Sequence, residues 1–335
     1  MDEKNFLQRL EKIRGRRELA TTDLVSILDL SRDEVDLIFN LAAEVETFLK
    51  GEMKKVPLLK GKSQMSFFME SSTRTSVSFE LAGKNLGADT VNINVEKSSM
   101  NKGETLLDTA ITLDQMQPDI IVMRTSFSGA VHFFARSVKA AVINAGDGMN
   151  EHPTQALLDL YTMQKFVDKD LKKKKLVIVG DVLHSRVFGS LSRLAKMFEM
   201  DITVSAPHTL IRPHLEAWGV RHEPNIEKAL AGANIVYALR LQTERTAAAF
   251  VPTVREYSKT YIINAARMKL ADKKAVVMHP GPVIRELDVH TNILETNVSL
   301  IPEQVFSAYC IRFVLLWLFG NKRKHKQIAK RLFKA

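Results

Sequence analysis

Short apolar runs alternate along the chain with stretches of helical periodicity. After Ser185, apolar residues at positions 191, 194, 195 and 198 recur with the i, i+3, i+4 and i+7 spacing of a helix. Apolar runs flanked by helices are typical of buried strands in βα units, and therefore of parallel sheets. These runs are residues 65–69, 90–95, 120–123 and 141–144, and then 176–179, 202–205, 235–239 and 275–278.

The two groups of runs predict an α/β fold with two doubly wound domains, each with a central parallel sheet flanked by helices. A helix that begins at Pro153 marks the boundary, because proline is favoured at the first position of a helix. The helix from Pro302 onward has no following strand, so we expect it to pack back on the first domain. The predicted domains are residues 1–151 with about 303–335, and residues 152–302.

Composition indicates a globular protein, because 45% of the 335 residues are apolar and 26% are charged. Cys310 is the single cysteine and lies in an apolar run, so it is expected to be a small buried hydrophobe rather than half of a disulfide. Residues 1–10 lack the apolar segment of a secretory signal, and the apolar run 313–319 is too short to cross a bilayer. We therefore expect a soluble cytoplasmic protein.

The formal net charge of +10 suits either a polyanionic partner or phosphorylated and carboxylated metabolites. Part of this excess is local, in residues 172–175 and in a basic tail at 321–334. Runs of this kind are usually solvated faces. A nucleic-acid partner is further disfavoured by the low aromatic content of 7% and by the lack of a recognisable binding motif.

The clearest candidate for anion binding is the segment Ser72-Thr73-Arg74-Thr75, which follows a predicted strand and opens a predicted helix. Ser72 fits the N-cap position, and the unpaired N–H groups of the first turn follow it. Together with the hydroxyls and the guanidinium, these donors would converge on a phosphate. The alternative is an ordinary capped helix with a surface arginine.

Two further residues of the first half are candidates. His152 lies just before a helix at the end of a strand, the edge where ligands bind in open α/β sheets. It could donate to a developing oxyanion or serve only as a helix cap. Lys102 lies in the polar segment 98–105, which could close over an anion or be a plain surface loop.

In the second half, candidate residues again follow predicted strands. Arg186 lies near a helix start, and Arg240 and Gln242 share one side of the chain if it stays extended. Two arginines at strand ends of one domain suggest a dicarboxylate ligand. The rigid turn at 279–282, His-Pro-Gly-Pro, could offer carbonyls to an amine or be a simple tight turn.

Other chemistries lack their sequence signals. The glycine-rich patterns of dinucleotide and triphosphate sites do not occur, and no elbow motif marks a serine nucleophile. The nine histidines show no spacing typical of metal ligands. The residues therefore predict neither a cofactor nor a metal.

Five motifs occur in a specific order: Ser-Thr-Arg-Thr at 72–75, Lys-Gly-Glu-Thr at 102–105, His-Pro-Thr-Gln at 152–155, Arg-x-Gln-x-Glu-Arg at 240–245 and His-Pro-x-Pro at 279–282. Over residues 24–313 this set resembles the aspartate carbamoyltransferase catalytic chains of the aspartate/ornithine carbamoyltransferase superfamily. The resemblance implies transfer of the carbamoyl group of carbamoyl phosphate to L-aspartate, the committed step of de novo pyrimidine (UMP) biosynthesis. It also implies a first domain that binds carbamoyl phosphate and a second that binds aspartate.

The resemblance implies a role for each motif residue. Ser98 and Lys102 would reach in from the adjacent subunit of a homotrimer with shared active sites, and a regulatory chain or a dihydroorotase is a conceivable further partner. No cofactor is implied. The carbamoyl-phosphate set is Ser72, Thr73, Arg74, Thr75, Ser98, Lys102, Arg124, His152 and Gln155; the aspartate set is Lys102, Arg186, Arg240, Gln242, Gly281 and Pro282; and the catalytic set is Arg74, Thr75, Lys102 and His152.

Three alternatives remain. An ornithine carbamoyltransferase would need an acidic or polar pocket for a second amine, whereas Arg240 suits a second carboxylate. A non-catalytic paralogue acting as a scaffold should have lost catalytic residues, yet Arg74 and His152 are both present. A nucleic-acid binder would explain the charge and the basic tail.

Overall fold

The computed structural model describes residues 2–94, 103–242 and 250–322, which divide into two compact units. The first unit comprises Met1–Thr154 and Ser307–Ala335, and the second comprises Gln155–Phe306. The assignment of one ligand to each domain stays a prediction.

The first unit is built on a four-stranded parallel sheet with the strand order β2-β1-β3-β4. Alternate residues of these strands, such as Met65 and Phe67 on β1, face a buried cluster formed with two helices. In that cluster the rings of Phe67 and Phe134 lie 5.7 Å apart. The strands are β1 (Ser63–Phe68), β2 (Asp89–Asn94), β3 (Ile120–Thr125) and β4 (Ala141–Asp147).

Helices surround this sheet, and several begin at side-chain caps. Ser31 and Glu34, for example, form a reciprocal capping box at the start of the second helix. The helices of the first unit are α1 (Glu3–Arg14), α2 (Arg32–Leu49), α3 (Thr73–Asn85), α4 (Leu106–Gln115) and α5 (Ala130–Ser137).

The second unit contains a five-stranded parallel sheet with the order β7-β6-β5-β8-β9. The strands are β5 (Lys175–Val179), β6 (Asp201–Ser205), β7 (Val220–His222), β8 (Ile235–Ala238) and β9 (Val276–Met278). Its helices are α7 (Arg186–Met197), α8 (Ile226–Leu230), α9 (Val254–Tyr261), α10 (Ala265–Met268) and α11 (Thr291–Leu294).

Two helices contain the unit boundaries, α6 (Pro153–Phe166) and α12 (Ile301–Gly320). Cys310 on α12 is fully buried, as predicted for a small core residue. The apolar run 313–319 lies within α12, which is long and apolar enough to span a membrane by length and composition alone. However, 67% of its most apolar window is buried inside the protein, which is typical of a core helix.

The predicted α/β class with two parallel sheets is confirmed, and all eight predicted strands occur with ends shifted by at most a few residues. Strand β7 was not predicted. It is a three-residue edge strand, Val-Arg-His, whose buried residue Val220 is flanked by polar ones, so it lacks an apolar run. The predicted helices after Ser185 and from Pro153 are also present.

Candidate functional site

Each sheet contains one point where the strand order reverses. In the first unit the chain leaves β1 for β2 on one side and returns to β3 on the other, and in the second unit β5 and β8 stand in the same relation. In open parallel sheets, ligands bind outside the carboxyl ends of the strands at such a point. The crevices are therefore formed by the segments after β1, β3, β5 and β8, which carry most of the predicted site residues.

At the reversal point of the first unit, the ends of β1 and β3 are hydrogen-bonded to each other. The Met69 N–H donates to the Arg124 carbonyl at 2.8 Å. The guanidinium of Arg124 is mostly buried, and its Nε lies 3.3 Å from Oε2 of Glu70. Arg124 is thus held beside the segment that leads to Ser72, with an acidic partner that an anionic ligand would have to displace.

Helix α3 begins at this edge, with Ser72 in an extended conformation at its N-cap position. Ser72 therefore occupies the predicted N-cap position, but its side chain makes no capping hydrogen bond. Thr73 and Arg74 are exposed, whereas Thr75 is buried. The uncapped first turn offers N–H groups and the positive end of the helix dipole to a ligand.

The loop between β4 and α6, which carries His152, is organised by the buried carboxylate of Asp147. Gly148 in this loop has φ +50°, and a Cβ there would lie 2.4 Å from the Ser128 hydroxyl, so only glycine fits. Asp147 accepts hydrogen bonds of 2.8–3.1 Å from the Gly129 N–H, Asn144 Nδ2, Asn150 Nδ2 and the Glu151 N–H.

Glu151, the residue before His152, is held in place by its side chain. Its buried carboxylate accepts from the Ser26 hydroxyl at 2.5 Å and from the Ile27 N–H at 2.9 Å. His152 follows directly and is 4% exposed, so its backbone position is set by a segment more than a hundred residues earlier. This buried, restrained position suits a group that must donate to a defined atom.

At the reversal point of the second unit, the backbones after β5 and β8 are in direct contact. Gly180 has φ +126°, and a Cβ there would lie 2.3 Å from the Leu239 carbonyl oxygen. The fully buried Asp181 accepts from the Gln242 N–H at 3.4 Å and, at 3.0–3.1 Å, from the backbone and ring nitrogens of His184. One carboxylate therefore links the two segments.

These two segments carry three of the predicted aspartate-binding residues. Arg186 is the first residue of α7 and is 6% exposed, and the preceding Ser185 caps the helix through the Phe188 N–H at 3.2 Å. After β8, Arg240 and Gln242 are half-buried while Leu241 between them is buried. This alternation matches the prediction that Arg240 and Gln242 share one side of the chain.

The turn after β9 is held by a buried histidine and a buried aspartate. His279 Nδ1 accepts from the Gly281 N–H at 2.8 Å, so the ring proton lies on Nε2, which is 3.2 Å from Asp288 Oδ2. The same carboxylate oxygen accepts from the Ile284 N–H at 2.9 Å. The Gly281–Pro282 peptide bond is cis, and both residues are at least partly exposed.

Gln155 lies at the start of the second unit and is 8% exposed. Its Nε2 donates to the fully buried carboxylate of Asp159 at 3.0 Å, and the Tyr237 hydroxyl donates to the same carboxylate at 2.6 Å. Burial, and then the charge of Asp159, raise the pKa of Tyr237 well above its ordinary value. Tyr237 is therefore a neutral donor at physiological pH.

In the first unit, Ser72, Thr73, Arg74 and Thr75 lie at the start of α3, Arg124 lies in β3, and His152 follows β4. The second unit contains Gln155, Arg186, Arg240, Gln242, Gly281 and Pro282. Ser98 and Lys102 lie outside the described residues. The supporting carboxylates of Asp147, Asp159, Asp181 and Asp288 were not predicted as site residues. The available signal was an acidic residue a few positions from each motif, which is too common to identify them.

Comparison with known proteins agrees with this architecture. Family profiles described as the carbamoyl-P binding domain and the Asp/Orn binding domain of aspartate/ornithine carbamoyltransferase match residues 22–165 and 172–318. An aspartate carbamoyltransferase catalytic subunit from Desulfitobacterium hafniense (strain DSM 10664 / DCB-2) is 46% identical over 88% of this chain and 95% of its own length.

Solved structures have the same fold. The aspartate transcarbamoylase from Trypanosoma cruzi in complex with carbamoyl phosphate superposes with a TM-score of 0.82 at 30% identity, over 89% of this chain and 96% of that one. The ornithine carbamoyltransferase from Thermus thermophilus, at 24% identity, has a TM-score of 0.78 over 89% and 99% of the two chains, and shares the fold. The profiles and the relatives together show that this chain belongs to the aspartate/ornithine carbamoyltransferase family.

Proposed function

We propose that the chain transfers the carbamoyl group of carbamoyl phosphate to the amine of L-aspartate, giving N-carbamoyl-L-aspartate and phosphate in pyrimidine biosynthesis. The observation that carries this is the distribution of cations at the two reversal points. Arg74 and Arg124 lie beside a helix N-terminus in the first unit, which suits a phosphate. In the second unit, Arg186 begins the helix that follows β5 and Arg240 lies just after β8, which suits two carboxylates.

Solved relatives support this choice of substrates. Structures of the Trypanosoma cruzi aspartate transcarbamoylase contain carbamoyl phosphate, carbamoyl phosphate with aspartate, or N-(phosphonacetyl)-L-aspartic acid. By correspondence of motifs, Ser72, Thr73, Arg74, Thr75 and Arg124 bind the phosphate, and His152 and Gln155 contact the carbamoyl end.

The second unit supplies the other substrate site in this proposal. Arg186, Arg240 and Gln242 bind the two carboxylates of aspartate, and Gly281 and Pro282 border its amine. Ornithine would place a second ammonium group where Arg240 provides positive charge, and the two cations would repel each other. The proposal therefore favours aspartate over ornithine.

The proposed chemistry is direct attack of the neutral amine on the carbamoyl carbon. The C–N bond forms as the carbonyl oxygen becomes an oxyanion, which Arg74, Thr75 and His152 stabilise. The C–O bond to phosphate then breaks, and the departing phosphate takes the amine proton, so no protein base is needed. Binding both substrates in line contributes through proximity.

We further propose a cytoplasmic homotrimer in which Ser98 and Lys102 complete the site of the adjacent subunit. This proposal comes from the family resemblance of the segment 98–105. If it is right, inactive Lys102→Ala and Arg74→Ala proteins regain activity when their subunits are mixed, because some sites then contain neither change. Mixtures that stay inactive at every ratio would contradict shared sites.

The function is tested by measuring carbamoyl-aspartate formation with aspartate and with ornithine as alternative acceptors. We expect turnover with aspartate only. Arg74→Ala should lower kcat about 10²- to 10³-fold, the usual effect of removing one oxyanion donor. Arg32→Ala is the matched control, since Arg32 is exposed and pairs with Asp36 at the surface at 3.0 Å. Equal activity of the two variants would refute the assignment of Arg74.

A further inference from the structure

Asp159 on α6 lies at the centre of a buried hydrogen-bond network in the second unit. Its carboxylate is fully buried and accepts from the Tyr237 hydroxyl at 2.6 Å, from Gln304 Nε2 at 2.6 Å and from Gln155 Nε2 at 3.0 Å. A buried charge is tolerated only when hydrogen bonds replace its hydration, and three donors meet that need here.

The carboxylate fixes the orientation of both glutamine amides. An ionised carboxylate only accepts hydrogen bonds, so each amide must present its NH₂ group to Asp159 and direct its oxygen elsewhere. For Gln304 the result is visible, because its Oε1 accepts from the His279 N–H at 2.9 Å. For Gln155 the same constraint turns Oε1 away from the carboxylate.

The network extends from Asp159 to the turn after β9. Gln304 holds the backbone of His279, and the His279 ring in turn holds the Gly281 N–H at 2.8 Å. Asp159 is thus connected to Gln155 by one hydrogen bond and to the turn by a short series of them. Gln155 is assigned to the carbamoyl group and the turn to the attacking amine.

We propose that Asp159 is a positioning residue that holds Gln155 and the turn at 279–282 in the positions that the reaction requires. This inference rests on the proposed function. The NH₂ of a carbamoyl group can only donate, so it needs an acceptor, and Asp159 ensures that Gln155 offers its oxygen rather than its NH₂. The same carboxylate, through Gln304, fixes the residues that border the aspartate amine.

The test is Asp159→Asn, which keeps the shape but replaces one acceptor oxygen with a donor. The new NH₂ replaces either Oδ1, which accepts from both glutamine amides, or Oδ2, which accepts from the Tyr237 hydroxyl. In the first arrangement an amide must flip or lose its partner, and in either arrangement both amides lose the charge of their acceptor. We expect kcat to fall roughly 10- to 100-fold, the effect of losing a hydrogen bond to a charged group. The inhibition constant of inorganic phosphate should stay within about twofold, because phosphate is assigned to residues of the first unit.

Thr162→Val provides the matched control on the same helix. Thr162 is also fully buried, but its hydroxyl donates only to the Leu158 carbonyl of its own helix, at 2.7 Å. Its kcat should equal that of the unmodified protein. Gln304→Leu is the second variant, which cuts the link to the turn while leaving Asp159 and Gln155 in place; it should also lower kcat and leave phosphate inhibition unchanged.

The outcomes separate the two proposals. If the unmodified protein forms no carbamoyl-aspartate, the proposed function fails before any variant is made. If it is active and either Asp159→Asn or Gln304→Leu keeps its kcat, Asp159 is only a structural residue and this inference is overturned. A parallel loss of phosphate binding and kcat in Gln304→Leu would also overturn it, because that pattern indicates general disruption.

Discussion

Gly180→Ala probes the contact between the backbones that follow β5 and β8. Gly180 has φ +126°, a conformation that residues with a side chain rarely adopt. The added Cβ would lie 2.3 Å from the Leu239 carbonyl oxygen and 3.1 Å from the Leu239 carbonyl carbon. Because the obstacle is backbone rather than the end of a flexible side chain, the chain itself must move.

The magnitude follows from these distances. A normal carbon–oxygen contact is about 3.3 Å, so Leu239 must shift by roughly 1 Å. Arg240 is the next residue, and a displacement of about 1 Å in a substrate-positioning group can cost about 10²-fold in rate. The unfavourable φ costs about 1–3 kcal/mol and the overpacking about 1–3 kcal/mol, so the free energy of unfolding should fall by about 2–6 kcal/mol.

Gly232→Ala separates backbone strain from the steric contact. Gly232 lies in the same unit with φ +69°, but a Cβ there would meet no atom within 4 Å. We expect it to lose only about 1–2 kcal/mol and to keep its catalytic constants. Urea unfolding gives the two free energies, and steady-state kinetics give kcat and the KM for aspartate.

We expect Gly180→Ala to lower kcat/KM for aspartate. The inhibition constant of inorganic phosphate should change little, because phosphate is assigned to residues of the first unit. If Gly180→Ala and Gly232→Ala behave alike in both stability and aspartate kinetics, the close approach of Gly180 to Leu239 does not position Arg240.

Three further outcomes are expected. Glu70→Gln should lower the inhibition constant of inorganic phosphate by about fivefold or more, because Glu70 competes for Arg124 through an ion pair that is mostly buried, and even an exposed pair is worth up to ~1 kcal/mol; a weaker inhibition would contradict this. Ser26→Ala should lower the free energy of unfolding by about 1.5–3 kcal/mol, since it removes a donor from the buried carboxylate of Glu151, and urea titration measures the loss. Alkaline pH should destabilise the protein as pH rises through about 10, because tyrosines ionise near there in the unfolded chain while burial and the adjacent carboxylate raise the pKa of Tyr237; in Tyr237→Phe the decline in unfolding free energy with pH should be shallower.

The strands and their parallel arrangement could be predicted because each depends on a local run of apolar residues. The apolar run 120–123, for example, predicts the core of β3, and the helical periodicity after Ser185 predicts α7. Arg124 lies near the end of β3, and Arg186 is the first residue of α7, the helix that follows β5. The roles of these residues in binding stay predictions.

The supports of the site could not be predicted, because they join residues far apart in sequence. Asp181 meets the Gln242 backbone 61 positions away, and Glu151 meets Ser26 and Ile27 more than 120 positions away. Ser72 shows a different limit. The sequence predicted its N-cap position correctly, but it does not specify the side-chain rotamer, and the hydroxyl makes no capping hydrogen bond.

Carboxylates near the predicted site residues act in two ways that should give opposite results on neutralisation. Asp147, Asp159 and Asp181 accept from backbone N–H, amide, hydroxyl and imidazole groups, so they hold neighbouring segments in place. Glu70 instead pairs with Arg124 itself and competes with the ligand for that charge. Changing a loop-holding aspartate to asparagine should therefore impair turnover, whereas Glu70→Gln should tighten phosphate binding. The same sign of effect at both kinds of position would mean that overall charge, rather than geometry, governs the site.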